Sequence, residues 1–160
     1  MIRRLLLSAA IGLPFLAGPA LATGSHAGGH GEMSVGKPAK AAQAKRTITI
    51  EMSETDDGRM LFSPANIDAR KGETLRIVIT NKGETDHEFV MDAMAKNAEH
   101  KALMAKFPEM EHDDPNAIRL APGATGEIIW TFTHAGDFEF ACLIPGHYES
   151  GMHGPLKVSG

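Results

Sequence analysis

The sequence predicts an all-β sandwich, and three observations carry that expectation. Apolar and polar residues alternate over short runs, the period of a strand with one face in a core. Turn signals such as Lys71-Gly72, Asn81-Lys82-Gly83 and Pro122-Gly123 separate these runs, at the spacing of roughly 8–12 residues that sandwiches show. The stretch with core-forming composition, residues 46–160, amounts to about 115 residues, the size of one sandwich around one core.

Taken in order, residues 1–22 read as a secretory signal peptide. Arg3 and Arg4 supply the charged start, Leu5 to Leu16 an apolar stretch, and Ala20-Leu21-Ala22 a small-residue cleavage site. Gly12, Pro14 and Pro19 interrupt the run and argue against a membrane span. Residues 23–45 are rich in Gly, Lys and Ala with almost no large apolar side chains, and read as a flexible tail outside the core that carries His26, His30 and Met33. The folded domain follows over 46–160. Its expected strands number roughly six to eight. They are drawn from Thr47–Met52, from Met60–Phe62 and Asn66–Arg70 to either side of a Ser-Pro break, and from the run holding Leu75, Ile77 and Ile79. Beyond these lie a strand opening at His87, then Ala117–Leu120, Glu127–Phe132, Gly136–Cys142 and Gly154–Val158. Between them, the stretch around 92–107 is rich in helix formers, free of Gly and Pro, and stops before Pro108, so it predicts a helical insertion. Its Met94, His100 and Met104, with Met110 and His112 beyond, are potential copper donors, although Met on a helix more often fills a core.

One loop concentrates the chemistry. Residues 142–152, CLIPGHYESGM, contain the only cysteine, with His147 five positions on and Met152 five further. A thiolate, an imidazole and a thioether on one loop are three of the four donors of a mononuclear blue-copper site. A lone Cys is more often a small buried hydrophobe, but the strand feeding the loop favours the metal. In GDFEFAC, Phe138, Phe140 and Cys142 share one face while Asp137, Glu139 and Ala141 share the other, so the thiol arrives on the buried face at a strand end. With one Cys no internal disulfide can form, and metal ligation protects a free thiol in an oxidising compartment.

GDFEFAC followed by CxxxxHxxxxM resembles the C-terminal half of a cupredoxin, and is similar to small periplasmic copper-tolerance and plastocyanin-like members of that family. The resemblance implies a Greek-key β-sandwich, one type 1 Cu(I)/Cu(II) ion, and a further His ligand just after a mid-chain strand. His87, which opens the apolar run after Asn81-Lys82-Gly83, fits that place. The expected metal ligands are therefore His87, Cys142, His147 and Met152. His134, in the turn before GDFEFAC, is expected to be exposed, and His153 adjoins Met152 without the family's ligand spacing.

Removing Arg3 and Arg4 with the leader leaves 14 Lys and Arg against 20 Asp and Glu, a balance of −6. That acidity argues against nucleic acid and anionic membrane surfaces as partners. The expected function is one-electron transfer in the periplasm with a redox protein as partner. The alternative is copper tolerance or sequestration using the extra His and Met residues, alongside the copper-export machinery. A multicopper enzyme needs further copper centres and a second such domain, so no enzyme activity is expected. The mature chain is expected to be a soluble monomer.

Overall fold

The computed structural model describes residues 33–108 and 114–160. The expected signal peptide, His26, His30, Met110 and His112 lie outside the described residues. The described strands are β1 (Lys37–Pro38), β2 (Arg46–Glu54), β3 (Met60–Ser63), β4 (Ile67–Arg70) and β5 (Thr74–Asn81). They continue with β6 (His87–Asp92), β7 (Ala117–Leu120), β8 (Thr125–Thr131), β9 (Gly136–Ala141) and β10 (His153–Ser159). These ten exceed the six to eight expected, because every candidate run forms its own strand and β1 adds one before residue 46. They form two five-stranded sheets, in the orders β1-β8-β5-β2-β3 and β4-β10-β9-β6-β7.

Alternation builds the first sheet. β2 and β5 run parallel, with Ile48 beside Ile77 and Ile50 beside Ile79. β8 lies antiparallel to β5 and sets Ile128 against Ile77 and Trp130 against Leu75. The inward residues Ile50, Met52, Leu75, Ile77, Ile79 and Trp130 are wholly buried against Phe89, Met91, Phe140 and Leu156 of the second sheet. Phe62, Phe89 and Phe140 form an aromatic cluster with ring centroids 5.1–5.8 Å apart. Offset or edge-on ring pairs of this kind add about 0.5–1.5 kcal/mol each beyond the area they bury.

The tail boundary is corrected. Residues 33–45 are not a tail outside the core: Val35 is fully buried, and Lys37–Pro38 pair with Thr131 and Trp130 at the edge of β8. The Trp130 indole N–H donates to the Val35 carbonyl at 3.4 Å. Gly36 passes so close to β8, at φ +140°, that a Cβ there would meet the Thr131 oxygen at 2.1 Å. The folded unit therefore begins before residue 46.

The outer face of β9 is covered as well. Glu139 and Ala141 are buried, because the insertion folds over them as helix α1 (Met94–Met104). Met104 packs with Val90, Ala141 and Leu143 in a separate small cluster, with Ala117 and Tyr148 against it. Asn97 donates to the Glu139 carboxylate at 3.1 Å and the Tyr148 hydroxyl donates to it at 2.8 Å. Both faces of the second sheet are thus covered around the strand that delivers Cys142.

Candidate metal centre

β9 ends at Ala141, and the next residue, Cys142, is completely buried among the core side chains. The loop beyond it folds on itself. The Cys142 N–H donates to the Met152 carbonyl at 2.9 Å, and the Met152 N–H donates to the His147 carbonyl at 3.1 Å. These two bonds tie all three donor-bearing residues through their main chains. The turn needs glycine immediately before each of the last two: Gly146 has φ +91° and Gly151 φ +99°, a region that L side chains avoid. β3 clamps the loop from outside, the Met60 N–H donating to the Ser150 carbonyl at 3.0 Å.

His87 reaches the same place from β6. The Nδ1 atoms of His87 and His147 lie 3.2 Å apart, and the Cys142 sulfur lies 3.4 Å from His147 Nδ1. One donor atom from each of the three residues falls within 4.8 Å of the others. Atoms bound to one ion at about 2.0–2.3 Å and at wide angles are separated by roughly 3.2–3.7 Å, so these spacings suit a single metal ion. Met152, fully buried in the same core, would add a thioether to the set. Thiolate, two imidazoles and thioether are the donors copper prefers in both oxidation states.

The electrostatics fit the same use. Burial pushes the Cys142 thiol up to about 12, although the amides of Glu88 and Ile144 donate to its sulfur, the former at 3.3 Å. An ion entering the site must displace that proton, and those amides already face the sulfur that would then carry charge. Burial, and next the neighbouring His87, hold the half-buried His147 below the usual histidine range, so its ring is neutral with a lone pair to give. Glu54, the last residue of β2, places Oε1 3.0 Å from His87 Nε2. Burial alone would raise its carboxyl, but hydrogen bonds from Thr85 and the Glu84 amide and the nearby His87 bring it down to about 2. Nothing in the spacing of the sequence points to Glu54, because its partner lies 33 residues away.

The remaining candidates fall elsewhere. His134 is exposed, as expected, and bonds its neighbour Thr133 at 3.0 Å. His153 points outward and stacks on Tyr148 with centroids 4.2 Å apart. Met91 and Met104 are core filling, Met33 packs against the core, and Met94 is exposed.

Known copper proteins resemble this chain. Residues 49–159 match the copper-binding proteins of the plastocyanin/azurin family. The copper-resistant cuproprotein CopI of Rubrivivax gelatinosus is 49% identical over 137 residues, covering 84% of this chain and 81% of that protein. The copper-resistant cuproprotein CopI of Pseudomonas aeruginosa is 37% identical, covering 98% of this chain and 97% of its own. Among solved structures, the dithionite-reduced auracyanin of Roseiflexus castenholzii superposes with a TM-score of 0.61 at 23% identity, over 73% of this chain and 99% of that one. That likeness speaks for the fold alone. The sequence match spans both sheets and the loop that closes the donor cluster, so the chain belongs to the plastocyanin/azurin family of copper-binding proteins, with copper as its cofactor.

Proposed function

We propose that this protein serves copper tolerance in the bacterial periplasm, holding one copper ion with His87, Cys142, His147 and Met152. The observation that carries the reading is the convergence of a buried thiol and two imidazoles at one sheet end, in a chain 49% identical to a protein named for copper resistance. Bound copper supplies reversible one-electron chemistry between Cu(I) and Cu(II). The chain's own residues hold the donors in place beforehand. Gly146 and Gly151 turn the loop, Glu54 contacts His87, and Phe62, Phe89 and Phe140 share one buried core with Cys142. The leader-like Arg3–Ala22 segment supports export, and the copper-export machinery is the partner this role implies.

A second reading, a one-electron carrier docking on a redox protein, is favoured by the half-buried His147, the one member of the cluster that reaches the surface. Growth on copper separates the two. In a bacterium deleted for this gene, the full chain is expected to restore copper tolerance and Cys142→Ser is expected not to. Equal rescue by both would remove the copper site from the function. No copper phenotype on deletion, with a respiratory defect instead, would favour the carrier.

A further inference from the structure

We propose that Glu54 is a positioning residue for the copper site, fixing the tautomer of His87 and biasing the bound ion towards Cu(II). The inference rests on the reading of His87 as a ligand. His87 is wholly buried, and both its ring nitrogens are committed: Nδ1 faces His147 at 3.2 Å and Nε2 faces Glu54 Oε1 at 3.0 Å. An ionised carboxylate only accepts hydrogen bonds, so the proton of the neutral ring sits on Nε2. The lone pair is left on Nδ1, pointing into the donor cluster. The opposite tautomer would set a lone pair against a carboxylate in a buried place.

Glu54 is itself held from several sides. Its Oε1 accepts the Thr85 hydroxyl at 2.6 Å and the Thr85 N–H at 3.1 Å, and its Oε2 accepts the Glu84 N–H at 3.0 Å. The β5–β6 turn wraps so tightly around the carboxylate that a Cβ on Gly83 would lie 2.0 Å from Oε2. A carboxylate fixed behind a ligating imidazole raises that ligand's basicity. Its charge, relayed through the ring, stabilises the doubly charged ion more than the singly charged one. Thr85 acts in the opposite sense, since its hydroxyl shares Oε1 with His87.

The test uses the purified full chain loaded with copper, comparing wild type, Glu54→Gln and Thr85→Val. Glu54→Gln is expected to keep the thiolate-to-copper absorption band. Its affinity for Cu(II) relative to Cu(I) is expected to fall about tenfold, within the range such outer partners command. Tenfold in a one-electron couple is a rise in midpoint potential of about 59 mV. Thr85→Val frees Oε1 for His87 and is expected to shift the potential downward by less. The opposite signs mark a charge effect, because a side chain that only braced the turn would move both variants alike. An unshifted Glu54→Gln with its band intact overturns this inference and leaves the ligand set standing. A wild-type protein without the band, or Cys142→Ser with it, overturns the ligand set itself. If Glu54→Gln does not fold, Thr85→Val decides: a downward shift supports the proposal and an unchanged or raised potential overturns it.

Discussion

β2 carries a carboxylate contact at each end, and the two ends do different things. At its start, Arg46 Nε reaches Glu73 Oε1 at 3.0 Å, while the same guanidinium donates to the Asp68 carbonyl at 2.8 Å. That contact fastens the first sheet to β4 of the second. At its finish, Glu54 meets three donors of the β5–β6 turn and the imidazole of His87. Burial would raise both carboxyls, and hydrogen bonds lower both. The partner makes the difference. A carboxylate paired with arginine closes a structural contact, whereas one paired with His87 is placed, on the proposal above, to pass its charge into the donor cluster.

The sharpest way to test that division is to cut each end in turn. His87→Ala is expected to abolish the thiolate-to-copper band, because one of the three clustered donors that would hold the ion is lost. Arg46→Ala is expected to leave the band unchanged in position and intensity, since its partners Glu73 and Asp68 belong to the other end of the sandwich. Visible absorption of the two copper-loaded variants measures both. A band altered in Arg46→Ala would mean that the ends are mechanically linked.

Between the ends lies the core that separates them. Phe140 is wholly buried, with ring centroids 5.1 Å from Phe62 and 5.6 Å from Phe89. Phe140→Ala is expected to cost about 3–5 kcal/mol, the range for emptying a buried aromatic position. Urea unfolding of the metal-free protein reads it directly. A cost below about 1 kcal/mol would mean that the cluster collapses around the gap, contrary to a closely packed interior.

The same contrast explains what could be read from the sequence. Period-2 runs gave away β2, β5 and β9, because each strand sets one face into the core. The Cys142–Met152 loop was legible because its donors are local and their spacing is set by a single turn. Val35 was not, since one apolar residue among Gly, Lys and Ala makes no period, and it is the indole of Trp130 that gives it a place. Glu54 was invisible for a related reason. Its meaning depends on a parallel β2–β5 register and a turn closing over it, neither of which leaves a local pattern. The burial of Glu139 and Ala141 depended likewise on where α1 lands.

The smallest effect belongs to Glu73, and it carries a pH signature. Burial opposes its ionised form, but Arg46, the Arg70 amide and the charge of Arg70 together hold its folded value below that of the unfolded chain. A carboxyl lowered in this way contributes stability that is fully present above the unfolded value and is lost as pH falls through the folded one. Arg46 is nearly half exposed, so solvent screens the pair, and the contribution is expected to be about 0.2–1 kcal/mol at neutral pH. Glu73→Gln should therefore unfold at a lower urea concentration than wild type at pH 7. The gap should close as pH falls below the ordinary carboxylate range. Measured on metal-free protein, this leaves the copper ligands out of the comparison. A gap that stays constant into acid would show that Glu73 acts by shape and not by charge, and the likeness between the two ends of β2 would fail there.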